Sequence, residues 1–209
     1  DMHMHGLHWN EEVAELVREG RIPMKRIDES VRRILTAKFR LGLFENPYVD
    51  EAKSQQIRMC DEHRATALEA AEKSIVLLKN DGILPLDVKR YKRVLVTGIN
   101  ADGDGIMGDW SAPQKPENLT TILEGLRMVA PKTEFVYVEQ GISPRKMEMA
   151  NVEKAARLAR TTDLNIVVAG EMSMRYRSRN RTCGESQDRT SIDLWGLQKD
   201  LVKKDFYKK

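Results

Sequence analysis

From residue 93 onward the chain alternates short β-branched runs with amphipathic ones, and few folds accept that order. Arg93 to Ile99 reads as a strand, Thr120 to Val129 as a helix and Glu134 to Val138 as a strand. Val152 to Ala159 follows as a helix, Leu164 to Ala169 as a strand, and a final helix starts near Leu194. Right-handed crossovers place a helix between successive parallel strands, so the pattern predicts a doubly wound, mostly parallel α/β sheet. Ser74 to Leu78 is a further continuous apolar run, and Asn80-Asp81-Gly82 supplies turn chemistry that ends a strand. The α/β layer is therefore expected to begin at residue 74.

What precedes it is helical. Asn10 reads as an N-cap for a helix with Val13, Leu16 and Val17 on one face, closed by Gly20. After Pro23, Ile27, Val31, Ile34, Leu35 and Phe39 recur at helical spacing until Gly42 stops the run. Asn46 to Lys53, with Pro47, reads as a linker, and a third helix is expected over His63 to Lys73. The division is a helical piece (1–45), a linker with a connecting helix (46–73) and an α/β layer (74–209). The chain opens on Asp1 and ends in the lysine-rich Lys203 to Lys209 just after an amphipathic pattern begins. Both ends read as cut, and the last strands of the sheet are expected to be missing.

Thirty-five basic against 32 acidic side chains leave a net charge of +3, too little to imply a polyanion-binding protein by charge alone. No apolar run approaches the ~20 residues of a membrane-spanning helix, so no membrane partner is expected. Cys60 and Cys183 lie far apart with no Cys-x-x-Cys spacing, which argues against a zinc knuckle or a disulfide framework. His3, His5 and His8 have ligand chemistry, but their alternation at a chain end reads as exposed and incidental. No metal and no cofactor are expected. Neither the compartment nor the oligomeric state is set by the sequence.

In open parallel sheets, ligands bind beyond the carboxyl ends of the strands, here the loops after Ile99 and Ala169. The first has glycines at 98, 103, 105 and 108, not in Gly-x-Gly-x-x-Gly spacing, and Pro113 and Pro116 keep the next helix from starting at the loop. It reads as a glycine-rich connector rather than a phosphate cradle. Within it, Trp110 reads as a packing anchor rather than a sugar platform.

The second loop, Gly170 to Arg189, is long for an α/β connection and holds Glu171, Glu185 and Asp188. A glutamate on such a loop acts as a general acid if its surroundings raise its pKa toward neutrality. Arg175, Arg177, Arg179 and Arg181 oppose that role, because nearby cations lower a carboxylate's pKa. Two readings stay open at this point: a catalytic glutamate, or a solvated basic loop in which Glu185 is a salt-bridge partner. Tyr176 among the arginines adds a third possibility, a non-catalytic α/β binding module presenting the loop to RNA or an acidic partner.

Longer strings narrow the choice. Arg33-Ile34-Leu35-Thr36-Ala37-Lys38-Phe39-Arg40-Leu41-Gly42-Leu43-Phe44-Glu45-Asn46-Pro47-Tyr48 resembles the stretch that closes the catalytic barrel of glycoside hydrolase family 3, the β-glucosidase and β-xylosidase family. Ser74-Ile75-Val76-Leu77-Leu78-Lys79-Asn80-Asp81-Gly82 with Leu84-Pro85-Leu86 resembles the family's entry into its second domain. Gly108-Asp109-Trp110-Ser111, Thr121-Ile122-Leu123-Glu124-Gly125-Leu126 and Gly184-Glu185-Ser186-Gln187-Asp188-Arg189 continue the likeness in order.

The resemblance implies that residues 1–45 are the C-terminal end of a (β/α) barrel and 74–209 an incomplete α/β sandwich domain. It implies a retaining, exo-acting hydrolase of terminal β-linked glucose or xylose, with an oligosaccharide or aryl β-glycoside as substrate and no nucleic acid. Glu185 matches the acid/base glutamate, Glu171 is the fallback, and the nucleophilic aspartate's motif belongs upstream of Asp1, so the chain alone is expected to be inactive. Asp1 is not given that role, since Asp1-Met2 resembles the end of a later barrel motif. The chain departs from the family pattern at Trp195, where proline is usual before Gly196-Leu197-Gln198, and in the arginine-rich insert at 175–181.

Overall fold

Arg93-Val94-Leu95-Val96-Thr97 is β-branched and apolar through its middle, and it forms the central strand β1 (Arg93–Thr97) of a three-stranded parallel sheet in the computed structural model. The structure describes residues 1–4, 8–87, 89–174 and 179–206, in two compact units, Asp1–Leu78 and Lys79–Lys209. β2 (Glu134–Val138) and β3 (Leu164–Val167) flank β1 in the order β2-β1-β3, with Leu95 level with Val136 on one side and Asn165 on the other.

A run buried on both faces needs cover on both. On one face Leu95 packs with Val138, with Val152 and Ala155 of α6 (Met149–Leu158) and with Leu201 of α7 (Gln198–Phe206). On the other, Val94 and Val96 pack with Ala101 and with Leu123 of α5 (Ile122–Val129). Helices on opposite faces make the layer doubly wound, as the alternation predicts. α5 starts at a capping box in which Thr121 Oγ1 accepts from the Glu124 N–H and Glu124 Oε2 accepts from the Thr121 N–H. The Thr121 hydroxyl donates to Asp102 Oδ1 at 2.8 Å, which fixes the far end of the loop leaving β1.

That loop departs through Gly98, whose φ is +113° and whose hypothetical Cβ would lie 2.3 Å from the Val168 carbonyl oxygen. Only glycine allows β1 to turn this close to β3.

The first unit holds α1 (Trp9–Arg18), α2 (Met24–Arg40), α3 (Glu51–Ile57) and α4 (Asp61–Ser74). No described residue of this unit is buried. Val13 and Val17 of α1 and Ile27, Val31 and Ile34 of α2 line an open groove of about 780 Å³. Asp1 is tied to α2 by Arg33 at 2.8 Å, Ser30 at 2.9 Å and Arg26 at 3.3 Å. No helix of the described residues is long and apolar enough to cross a membrane.

Four sequence expectations differ from the fold. Ser74 closes α4, and Ile75 to Leu78 is unpaired chain with side chains 61–93% exposed, not a strand. A continuous apolar run does not specify a strand without a partner edge. α1 starts at Trp9 with His8, not Asn10, as its cap, in a left-handed conformation. Asp50 caps α3 by accepting from the Lys53 N–H, so part of the expected linker is helical. The last helix begins at Gln198 rather than near Leu194.

Candidate active site

The loop that leaves the carboxyl end of β3 is anchored by a buried amide. The Gln198 side chain, fully buried, pairs with Gly170 in both directions: the Gly170 N–H donates to Oε1 at 2.9 Å and Nε2 donates to the Gly170 carbonyl at 3.0 Å. This sets the direction in which the chain leaves β3. Ten residues later the loop returns on itself, because the Thr182 N–H donates to the Met172 carbonyl at 2.8 Å and the Met172 N–H donates to Thr182 Oγ1 at 3.0 Å. Arg145 Nε and Ser143 Oγ donate to the carbonyls of Arg181 and Asn180 at 2.9 and 2.8 Å. Residues 180–182 are thereby held by these four hydrogen bonds.

The chain then makes a turn closed by the Gln187 N–H donating to the Gly184 carbonyl at 3.0 Å, with Ser186 at φ +61°. Glu185 stands exposed on this turn. Its backbone is gripped on both sides: its N–H donates to Asp109 Oδ2 at 2.9 Å, and its carbonyl accepts from Arg181 Nη1 at 3.2 Å. Asp109, from the loop after β1, also accepts the Trp110 N–H through Oδ1 at 2.9 Å and stands 3.9 Å from Arg181 Nη1. Gly184 has φ +104°, and a Cβ there would lie 2.7 Å from Asp109 Oδ2. The absence of a side chain lets the two loops meet.

Glu171 sits differently. Its Oε1 forms a close ion pair with Arg189, both side chains being about four-fifths buried, and its Oε2 is buried without a hydrogen-bond partner among the described residues. Cys183, between the two glutamates, has its thiol pushed up from the ordinary range by burial first and then by the Glu171 carboxylate, with Arg189 opposing.

The model of the glycosyl hydrolase family 3 C-terminal domain matches residues 75–206. The chain belongs to glycoside hydrolase family 3. It is 36% identical over 188 residues to a β-xylosidase of Formosa agariphila, covering 86% of this chain and 25% of that protein. It is likewise 36% identical to a lysosomal β-glucosidase of Dictyostelium discoideum, covering 77% of this chain and 21% of that one. Among solved structures, a β-glucosidase involved in saponin metabolism from intestinal bacteria superposes with a TM-score of 0.72 at 29% identity, over 96% of this chain and 30% of its own. The chain thus spans about a quarter of the length of the curated relatives it matches.

Within this family 3 domain the two candidate glutamates are neither adjacent nor equivalent. Of the four loop arginines, Arg175 and Arg177 lie outside the described residues, as do Tyr176 and His5. Arg179 is exposed, but Arg181 is only 8% exposed and turned toward Asp109 and the Glu185 carbonyl. A fully solvated basic loop is therefore corrected at Arg181, whose charge is spent on the turn. Trp110, read from sequence as a packing anchor, is 71% exposed with φ +57°. Its backbone, not its ring, is what Asp109 holds. Trp195, where the family usually has proline, lays its indole 4.4 Å from the Arg145 guanidinium and so backs the residue that holds the Arg181 carbonyl. His3 stacks on Trp9, ring centroids 4.5 Å apart.

Sequence reasoning missed Asp109, Arg145 and Gln198. Asp109 and Glu185 are 76 positions apart, and no local spacing marks such a pair.

Proposed function

We propose that this chain is part of a retaining, exo-acting β-glycosidase that hydrolyses terminal β-linked glucose or xylose, with Glu185 as its acid/base. The observation that carries the reading is the Glu185 turn, an exposed glutamate whose peptide is fixed on both sides at the carboxyl edge of a parallel sheet. The β-xylosidase and β-glucosidase relatives support the substrate class. Glu171, in its ion pair with Arg189 and with its second oxygen buried, is poorly placed to reach a glycosidic oxygen.

Retention requires two carboxyl groups ~5–5.5 Å apart, one attacking the anomeric carbon and one protonating the leaving oxygen. Glu185 supplies the proton in the first step. In the second, its carboxylate takes a proton from the water that releases the sugar. The nucleophilic aspartate comes from a (β/α) barrel and is not among these residues. Residues 1–45 are the closing part of that barrel, 46–73 the connection and 74–209 the sandwich domain. The open apolar groove between α1 and α2, with nothing in that unit buried, supports this division.

The test uses the full-length protein that carries this chain. Glu185→Gln should slow cleavage of a phenyl β-glycoside by roughly 10²–10⁴ and that of a 2,4-dinitrophenyl glycoside far less, because only the poor leaving group needs a proton. Azide should restore turnover when deglycosylation limits. If Glu171→Gln shows these signatures and Glu185→Gln does not, the assignment moves to Glu171.

A further inference from the structure

We propose that Asp109 is a positioning residue for the acid/base, acting with Arg181 as a clamp on the peptide of Glu185. The proposal rests on the reading of Glu185 given above. Its ground is geometric. Asp109 Oδ2 takes the Glu185 N–H, Arg181 Nη1 gives a hydrogen bond to the Glu185 carbonyl, and the carboxylate and guanidinium that do so face each other at 3.9 Å. Both backbone polar groups of one exposed residue are thereby satisfied by two largely buried, oppositely charged side chains, 16% and 9% exposed.

Stability alone does not account for this arrangement. Arg181 is a buried cation whose Nε has no hydrogen-bond partner among the described residues, a cost that folding would avoid. Two non-glycine residues that flank the clamp in sequence are in left-handed backbone, Ser186 at φ +61° next to Glu185 and Trp110 at +57° next to Asp109. Buried charge and unusual backbone torsions concentrate where a structure holds a group for chemistry. Fixing the peptide sets the origin from which the three side-chain torsions carry the carboxyl group, so a shift of the peptide shifts that group with it. A misplacement of about 1 Å costs on the order of 10²-fold in rate. The clamp also joins the loop after β1 to the loop after β3, so Glu185 is located from two strands rather than from one.

Asp109 does not touch the reacting atoms in this scheme. It acts through Glu185, and the two should therefore be coupled. In the full-length protein, Asp109→Ala should lower kcat/KM for a phenyl β-glycoside by about 10–100-fold and leave kcat/KM for a 2,4-dinitrophenyl glycoside nearly unchanged, since the first step on that substrate needs no proton. Asp109→Ala added to Glu185→Gln should cost no more than Glu185→Gln alone, since the group being positioned is already gone. Asp109→Asn keeps an acceptor for the Glu185 N–H and should recover part of the loss. If Asp109→Ala does not fold, Asp109→Asn is compared with wild type on the same two substrates.

Glu185→Gln serves as the reference that separates the two ideas. If Glu185→Gln shows the leaving-group dependence while the Asp109 variants slow both substrates equally, the clamp is overturned and the acid/base assignment stands. Additive losses in the double variant overturn the clamp likewise. If Glu185→Gln itself is indifferent to the leaving group, the acid/base reading falls and takes the clamp with it.

Discussion

The backbone N–H of Glu185 donates to Asp109 Oδ2 at 2.9 Å, a bond across 76 positions that ties the turn after β3 to the loop after β1. It depends on a glycine between them, since a Cβ at residue 184 would meet the same oxygen at 2.7 Å.

Gly184→Ala should therefore destabilise the second unit by about 1–3 kcal/mol, because the residue would be strained at φ +104° in addition to the contact. In the full-length protein the same change should weaken cleavage of poor leaving groups. An unchanged denaturation midpoint and unchanged activity would show that the two loops meet more loosely than the structure describes.

Leu95 is fully buried at the centre of the sheet against α6 and α7. Leu95→Ala should cost about 2–5 kcal/mol, the range for emptying a core leucine site. Urea denaturation followed by circular dichroism measures it, and a loss under 1 kcal/mol would place the core elsewhere.

Tyr137 has its phenol pushed up to about 12, chiefly by burial and then by Asp102 and Glu139. The unfolded phenol ionises near ~10, so the stability this group contributes is fully present below that pH and is lost as pH rises toward 12. Absorbance at 295 nm, compared with a Tyr137→Phe variant, should find the Tyr137 phenol still protonated at about pH 11 and ionised when the protein unfolds. Ionisation of Tyr137 by that pH without unfolding would contradict it.

Residues 1–78 bury nothing among the described side chains, and Leu35 and Phe39 of α2 are 40% and 61% exposed. Expressed alone, the 209-residue chain should bind a hydrophobic dye and self-associate, since exposed apolar faces of this kind seek cover. A monodisperse monomer with one cooperative high-temperature transition would be the contrary result.

The same isolated chain should not hydrolyse aryl β-glucosides, because covalent glycosyl transfer needs a carboxylate on each side of the bond and the proposed reading finds one here. Turnover well above a buffer blank would be decisive against the assignment.

Several features of this protein are legible without its fold. Glu134–Val138 is the strand that its composition predicts, the α2 stripe from Ile27 to Phe39 is the helix its spacing predicts, and Gly184-Glu185-Ser186-Gln187-Asp188-Arg189 marks the family and its candidate glutamate. These depend on interactions within a few residues, where hydrophobic period and capping chemistry act. The apolar run Ile75–Leu78 has the same local character as a strand yet pairs with nothing in the described sheet, because an edge to pair with is supplied by the rest of the molecule. The distinction between Glu171 and Glu185 is likewise tertiary. Both lie on one loop, but packing brings Arg189 to the first and Asp109 with Arg181 to the backbone of the second. Whether Trp110 is buried and whether Arg181 is solvated follow from the same meeting of two loops, which short-range preferences do not encode and which the packing of helices on both faces of β1 brings about.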